Sequence, residues 1–558
     1  MTVSGFICEE RLTYGPWPAL ERALARAIDH AGFTDVALVG GSGDHGADVV
    51  GVFNGQRWVL QAKYRKSGGI DAEGAREAIY AVGHYEAEVS VLAANSYFSQ
   101  DAYKFQAEQK NLGFDLRLWN GKYLLDFFNQ LPESPRKKRE LRDYQAEAID
   151  EVERRRGRGE QSALVVMATG LGKSMIANQL IVNELRRNPH EEVLVLAHMN
   201  DLVRQLEHSS WSQLPKNVST HLWTDGERPS YRGGVIFATW QSVAAAMQRG
   251  EEDLKSRFRL VIVDEAHHAP SNAFSRLLND LEPSFLVGLT ATPWRGDDKD
   301  LRTLFGEPAY TCDIVKGMQR GYLAAVDYRM LTDGIDWEEV SRASSQGLTV
   351  ADLNRHLLVP ERDIGMVETI SKKIGEINSP RALAFCRSIE HAERLQPLFS
   401  ARGIRAALMH SKLPREQRFK NLSNFRLGKI DLLISIEMLN EGIDVPDVNL
   451  VAFMRVTHSR RIFLQQLGRG LRISSAKKEV IVLDFVADIR RVAAGLEMNR
   501  QAKQGASAPE VVRYRDGQIV KFDNDTPAKF FDEYLADIAD VEDISESSKL
   551  VFPDGEEF

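Results

Sequence analysis

Short, almost unbroken apolar runs recur along most of the chain, each followed by a polar loop and then by residues at helical spacing. The clearest is ALVVM at 163–167, which breaks at Gly170 and Gly172 and continues into the helically spaced MIANQLIVNEL. Further runs follow in EEVLVLA (191–197, with a helix from Asn200), RGGVIFAT (232–239, a strand and then a loop), RLVIVD ending at Asp264, and LVGLT ending at Thr290. The rhythm returns in ALAF, AALM, DLLIS, NLVAFM and VIVLDFV. Continuous apolar strands that alternate with helices predict parallel sheets covered on both faces, here in two α/β lobes.

The N-terminal stretch has a different pattern. Pro18 to Ala31 reads as an amphipathic helix containing Glu21. A glycine-rich turn follows, then a strand around Asp48–Phe53, a hairpin at Asn54-Gly55 and a second strand from Arg57 to Tyr64. Alternation places Gln61 and Lys63 on one face, where Asp48 of the paired strand can join them. NQLPESPRKKRE reads as a linker, the segment 311–378 as a connection with charged helices, and the stretch beyond Val486 as flexible sequence with one acidic helix.

At 558 residues the chain exceeds a single core, so several domains are expected. Apolar content of 43% and charged content of 27% are ordinary for a soluble protein, and no run is long enough to span a bilayer. The N-terminus lacks a signal-peptide pattern, which predicts a cytoplasmic protein. Cys8, Cys312 and Cys386 have no metal-ligand spacing and are expected to be small buried residues. A net charge of −8 excludes a uniformly basic protein, although local basic runs (PRKKR, RRRGR) leave room for a groove that grips phosphates.

The turn after ALVVM has the makings of a phosphate cradle. Glycines 170 and 172 let backbone N–H groups close on an anion, with Thr169 beside them and a helix N-terminus adding positive potential. Lys173 is placed to reach β- and γ-phosphates of ATP, and the Ser174 hydroxyl to hold Mg²⁺. Met167 stands where the strict P-loop pattern has glycine. Asp264 at a strand's carboxyl end is expected to hold Mg²⁺, Glu265 to orient and deprotonate water, and His267 to couple this loop to its neighbours. Gln145 offers an amide that can read an adenine edge. Thr239 and Ser242 carry hydroxyls that can touch phosphates. Farther along, Arg469 and Arg472 share a helical face and can reach a γ-phosphate.

The hairpin constellation suits phosphodiester chemistry. Asp48 is a hard oxygen ligand for Mg²⁺, Gln61 a neutral one, Lys63 a cation beside the nucleophile or the transition state, and Glu21 can complete the metal site or its outer surroundings.

In their order, the glycine loop at 168–174, DEAH at 264–267, TAT at 290–292, GID at 442–444 and QxxGRxxR at 465–472 resemble superfamily 2 helicases and translocases of the DEAH/DExH type. That resemblance implies roles for Gly442 and Asp444 in linking nucleotide to nucleic acid, and for Gln465, Arg469 and Arg472 in the sixth motif. From Leu20 to Phe128, with Glu21, GSGDHGAD, QAK at 61–63, SYFSQDAYKFQAEQ and LWNGKYLLDFF, the chain resembles the Mrr-type restriction endonuclease domain of the PD-(D/E)xK fold. Gln61 replaces the acidic residue of the general fold but suits this branch.

The implied fold class is α/β, with a restriction-endonuclease-like domain, two RecA-like parallel-sheet lobes and a short C-terminal extension. The expected boundaries are 1–131 for the nuclease domain, 132–140 for a linker, 141–330 for the first lobe, 331–375 for a connection, 376–490 for the second lobe and 491–558 for the extension. The implied function is an ATP-dependent DNA helicase or translocase fused to an Mg²⁺-dependent DNA endonuclease, acting in restriction of foreign DNA. A homo-oligomer or a defence-system partner is a further expectation. The alternative is a remodelling or repair helicase whose N-terminal domain binds DNA without cutting it; an RNA helicase with an interaction domain is a third reading.

Overall fold

The computed structural model describes residues 5–331 and 360–485, apart from 41–44, 137, 139, 225, 251–253, 270–271, 292–300, 313–315, 318–319, 387, 437–447 and 455–478. By packing, the chain divides into two compact units, residues 1–165 with 172–310 and residues 166–171 with 311–558.

The first unit opens with α1 (Glu9–Tyr14) and α2 (Trp17–Ala31), followed by a five-stranded sheet. Its strands β1 (Thr34–Leu38), β2 (Val49–Phe53), β3 (Gln56–Lys63), β4 (Val89–Ala94) and β5 (Asp115–Trp119) lie in sequence order. The pairs β1/β2 and β2/β3 are antiparallel, while β3/β4 and β4/β5 are parallel. Asn54 and Gly55 form the hairpin with φ of 50° and 80°, the left-handed values that a two-residue turn needs. Helices α3 (Ala72–Tyr85), α4 (Gln100–Asn111) and α5 (Gly121–Gln130) complete the domain.

In α2, proline stands in the first turn and Gly32 ends the helix in the left-handed conformation. Leu20, Ala23, Leu24, Ala27 and Ile28 recur at helical spacing and pack against Val49, Leu60 and Val91 of the sheet.

The next sheet has seven strands, in the order β12-β6-β11-β10-β7-β9-β8. These are β6 (Ser162–Met167), β7 (Glu192–Ala197), β8 (Thr220–Trp223), β9 (Gly234–Thr239), β10 (Phe258–Asp264), β11 (Phe285–Thr290) and β12 (Pro308–Cys312). Strands β8, β9, β7, β10 and β11 pair in parallel, so their carboxyl ends gather at one edge. Helices α6 (Asp143–Gly157), α7 (Lys173–Arg187), α8 (Asn200–Trp211), α9 (Trp240–Gln248), α10 (Asn272–Leu281) and α11 (Arg302–Phe305) connect them.

The N-terminal domain and this lobe share a core. Trp211 of α8 belongs to the hydrophobic cluster of α2 and the five-stranded sheet. The intervening linker is pinned as well: the His30 ring Nε2 lies 2.8 Å from the Pro132 carbonyl oxygen.

The second unit holds a six-stranded parallel sheet, in the order β13-β18-β17-β14-β16-β15. Its strands are β13 (Ala325–Leu331), β14 (Ala382–Phe385), β15 (Ala406–Met409), β16 (Leu432–Ser435), β17 (Leu450–Phe453) and β18 (Glu479–Phe485), with α12 (Pro360–Glu376), α13 (Ile389–Ser400) and α14 (Arg415–Arg426). Met366, Val367, Ile370 and Ile374 of α12 enter the core against Ala382, Ile434 and Leu450.

Several sequence expectations change. Ala325–Leu331 pairs with β18, and α12 packs in the second core, so segments assigned to the first lobe and the connection belong with the second lobe. Strand β1 lies in the stretch expected to be a glycine-rich turn, and β8 falls where the sequence carries no strand expectation. A helix, α9, follows β9 where a loop was read. Cys312 and Cys386 are buried as expected, but Cys8 is only half-buried, because it precedes α1 near the surface. Among the described residues no helix is long and apolar enough to cross a membrane.

Candidate functional site

At the carboxyl edge of the seven-stranded sheet, Gly172 begins α7 with φ 86° and ψ 45°, a left-handed conformation that glycine adopts without a Cβ clash. A Cβ there would stand 2.5 Å from Gln145 Nε2. Gln145 is buried, and its Oε1 accepts a hydrogen bond from the Arg142 backbone N–H at 3.0 Å. The glutamine expected to read adenine therefore also caps its own helix and packs on the phosphate turn. Lys173 and Ser174 are the first two residues of α7, so both stand at its positive end.

Strand β10 delivers Asp264 and Glu265, both about nine-tenths buried. Glu265 has φ 47° and ψ 54°, a left-handed conformation that costs a non-glycine residue roughly 1–2 kcal/mol. Its Oε1 lies 3.8 Å from Lys173 Nζ. Its Oε2 is buried, accepts no hydrogen bond and stands 3.4 Å from His267 Nδ1. The fully buried His267 also meets the Thr290 hydroxyl, at 3.0 Å, where β11 ends. Lysine, glutamate, histidine and threonine thus form one chain across three strand ends. Thr239 and Ser242, read as phosphate-touching hydroxyls, hydrogen bond to each other at 2.7 Å. The Thr169 hydroxyl is buried without a hydrogen-bond partner.

These groups fit a magnesium nucleotide. A cation at a helix start, an unsatisfied carboxylate oxygen and a glycine turn are the donors and acceptors that a triphosphate and its attacking water require. Gly442, Asp444, Gln465, Arg469 and Arg472 lie outside the described residues.

The second constellation sits on the five-stranded sheet. Asp48 is locked by its backbone: its N–H donates to Leu60 O at 2.9 Å, and its carbonyl accepts from Val39 N at 2.8 Å. The buried side chain takes hydrogen bonds at Oδ2 from Ala62 N (2.6 Å) and Gln61 Nε2 (3.0 Å). Gln61 Oε1 is buried and has no partner. Leaving such an oxygen unsatisfied costs about 1–3 kcal/mol, so a hard cation beside Asp48 fits the donor set. Among the described residues no group of three or more His, Cys, Asp and Glu side chains is placed to hold a metal. The site instead combines carboxylates with the neutral Gln61 amide. Lys63 pairs with Glu77 of α3, a partner without any motif in the sequence. Half-exposed ion pairs of this kind are worth about 0–1 kcal/mol, weak enough for a phosphate to displace.

Glu21 of α2 joins this site. A Cβ on Gly40 would lie 2.9 Å from Asp48 Oδ1 and 3.1 Å from Glu21 Oε2, so both carboxylates converge on that glycine. Under the nuclease reading that the sequence resemblance implies, Gly40→Ala is expected to lower metal-dependent DNA cutting at least about tenfold, in line with the 10- to 100-fold cost of disturbing a metal's surroundings. ATP hydrolysis should stay at the wild-type rate. A plasmid-nicking assay run beside an ATPase assay checks this, and wild-type cutting by the variant contradicts it. Sequence reading missed Gly40, which stands just outside the GSGDHGAD run.

Three family models match the chain in order. The restriction endonuclease model covers residues 15–128, that of the type III restriction enzyme res subunit 138–295, and the helicase conserved C-terminal domain 366–474. The chain joins a restriction endonuclease domain to a superfamily 2 helicase core. The nuclease domain holds Asp48, Gln61, Lys63 and Glu21, and the helicase core holds the phosphate loop and DEAH residues.

The type I restriction enzyme EcoAI endonuclease subunit of Escherichia coli is 26% identical over 62% of this chain and 46% of its own length. The DNA 3'-5' translocase XPB2 of Sulfurisphaera tokodaii is 26% identical over 62% of this chain and 81% of its own. Of two further relatives that carry helicase names, from Saccharomyces cerevisiae and a Sulfolobus islandicus filamentous virus, the chain spans 51% and 60%. The structure of the ATP-dependent type ISP restriction-modification enzyme LlaBIII bound to DNA matches 97% of this chain and 42% of that one, with a TM-score of 0.54 and 16% identity. This last likeness is one of fold.

Proposed function

We propose that the protein is an ATP-driven DNA translocase that carries a metal-dependent DNA endonuclease and acts in restriction of foreign DNA. The observation that carries the motor half is the pairing of Lys173 with Glu265 at the carboxyl edge of a parallel sheet, with Glu265 beside a His267 that meets Thr290. Lys173 leaves Glu265 for the β- and γ-phosphates when ATP enters. Glu265, released from its cation, then accepts the proton of the attacking water. His267 holds that carboxylate in place and passes its displacement to the end of β11. Arg469 and Arg472 act in this reading as arginine fingers, an element worth about 10³- to 10⁵-fold in related NTPases.

In the nuclease domain, Mg²⁺ would supply an activated water and neutralise charge on the attacked phosphate. Asp48, the Gln61 amide and Glu21 would hold it, with Ser174 and Asp264 serving the nucleotide-bound Mg²⁺ in the helicase core. Lys63 exchanges Glu77 for the scissile phosphate and stabilises its added negative charge. The type I restriction relative supports the defence role by analogy.

DNA is the proposed track. Duplex DNA is expected to stimulate ATP hydrolysis at least about tenfold, an effect of roughly 1.4 kcal/mol on the barrier. RNA of the same length should leave the rate near basal. Equal stimulation by RNA would replace this reading with an RNA helicase.

A further inference from the structure

Helix α2 has two clients. Glu21 on this helix faces Asp48 in the nuclease site, and the next residue, Arg22, faces the helicase core. Arg22 Nε lies 3.4 Å from Glu207 Oε2 of α8, and its guanidinium also pairs with Glu227. Glu207 is almost completely buried and accepts a hydrogen bond from the Thr220 hydroxyl at 2.8 Å. Glu227 pairs in addition with Arg204 of α8, at 3.4 Å.

One helical turn farther along α2 and on the same face, the buried Arg26 donates to the carbonyls of Val218 (2.8 Å) and Pro215 (3.0 Å). It stacks over Phe6, 4.3 Å from the ring centroid. Burial lowers its pKa from the usual arginine range to about 9. At neutral pH the side chain is therefore still a cation, held by carbonyls of the lobe. Other bonds tie the same junction: Ser219 Oγ donates to Gly5 O at 2.8 Å, and the Tyr231 hydroxyl to Gly15 O at 3.1 Å. Together these bonds tie α2 and the residues before it to the helicase lobe.

We propose that Arg22 is a positioning residue of the nuclease: anchored on Glu207 and Glu227 of the helicase core, it fixes α2 so that Glu21 stands beside Asp48 in a metal-binding arrangement. The inference rests on the reading of Asp48, Gln61 and Glu21 as the nuclease metal site. It makes the metal affinity of one domain depend on an ion pair with the other.

The test is Mn²⁺ binding to the full chain without nucleotide, measured by paramagnetic resonance, with Asp48→Ala identifying the site. Arg22→Ala should weaken the Asp48-dependent affinity about tenfold, the lower end of the cost of removing a metal site's outer support. Glu207→Gln should act in the same direction, and Arg22→Lys should restore most of the affinity. DNA-stimulated ATP hydrolysis should be unchanged in the Arg22 variants.

Wild-type Mn²⁺ affinity in Arg22→Ala would overturn the proposal. So would equal loss in the alanine and lysine variants, which would mean that the charge at position 22 does not set the metal site. Asp48-dependent Mn²⁺ binding in a wild type that nicks no DNA would sink the cutting activity while leaving Arg22 its role. Absence of any Asp48-dependent binding would overturn both.

Discussion

Lys173→Ala is expected to abolish DNA-stimulated ATP hydrolysis, and Glu265→Gln to lower its turnover by about 10²- to 10⁴-fold, the range of a general base. The two losses arise differently. Lys173 stands at the start of α7, and its removal takes away a cation that faces the DEAH carboxylate, so nucleotide affinity falls. Glu265→Gln keeps the shape of the loop and the proximity to His267 but cannot take a proton. ATP binding should therefore survive in Glu265→Gln while turnover disappears. Fluorescent-nucleotide binding measured beside steady-state hydrolysis separates the two. Unchanged hydrolysis in either variant contradicts the proposed motor site.

The second large effect lies in the other domain. Asp48→Ala should reduce DNA cutting more than about a hundredfold, because even the outer partners of a metal ligand are worth 10- to 100-fold and Asp48 is proposed as a direct ligand. It also removes the acceptor for Ala62 N–H and the Gln61 amide, so the Gln61 side chain loses the bond that orients it. Lys63→Ala should match it in cutting, through a different step: metal binding is retained but the phosphate loses its cation. Both variants should hydrolyse ATP as the wild type does, since neither side chain touches the helicase site. Retained cutting by either variant would reject this assignment.

Much of this site was legible in the chain because it is written locally. A buried strand, a glycine turn and a helix leave three different periodicities in one short stretch, and Lys173 and Ser174 stand at the junction. DEAH was legible for the same reason: RLVIVD is a buried strand, and the residues just past the carboxyl end of such a strand face ligand. Asp48, Gln61 and Lys63 needed only a hairpin, which Asn54-Gly55 announced.

The unread parts depend on contacts distant in sequence. Arg22 meets Glu227 from 205 residues away, and nothing local marks either as a partner. Lys63 and Glu77 belong to separate elements with no shared motif. Strand β1 was hidden because its first two residues are exposed and polar, which breaks the alternation a strand is recognised by. Strand β13 was taken from its sheet because it is separated in sequence from its partner β18 by most of the second lobe.

If one chain unites an ATP-consuming motor with a working nuclease, the purified wild-type protein must cut DNA. Plasmid cutting in Mg²⁺ and in Mn²⁺, with and without ATP, on methylated and unmethylated DNA, decides the matter. Nicked or linear product is expected in at least one metal, abolished by Asp48→Ala. An intact plasmid under every condition, from a preparation that hydrolyses ATP when DNA is added, would contradict the nuclease and leave a helicase whose N-terminal domain binds DNA without cutting.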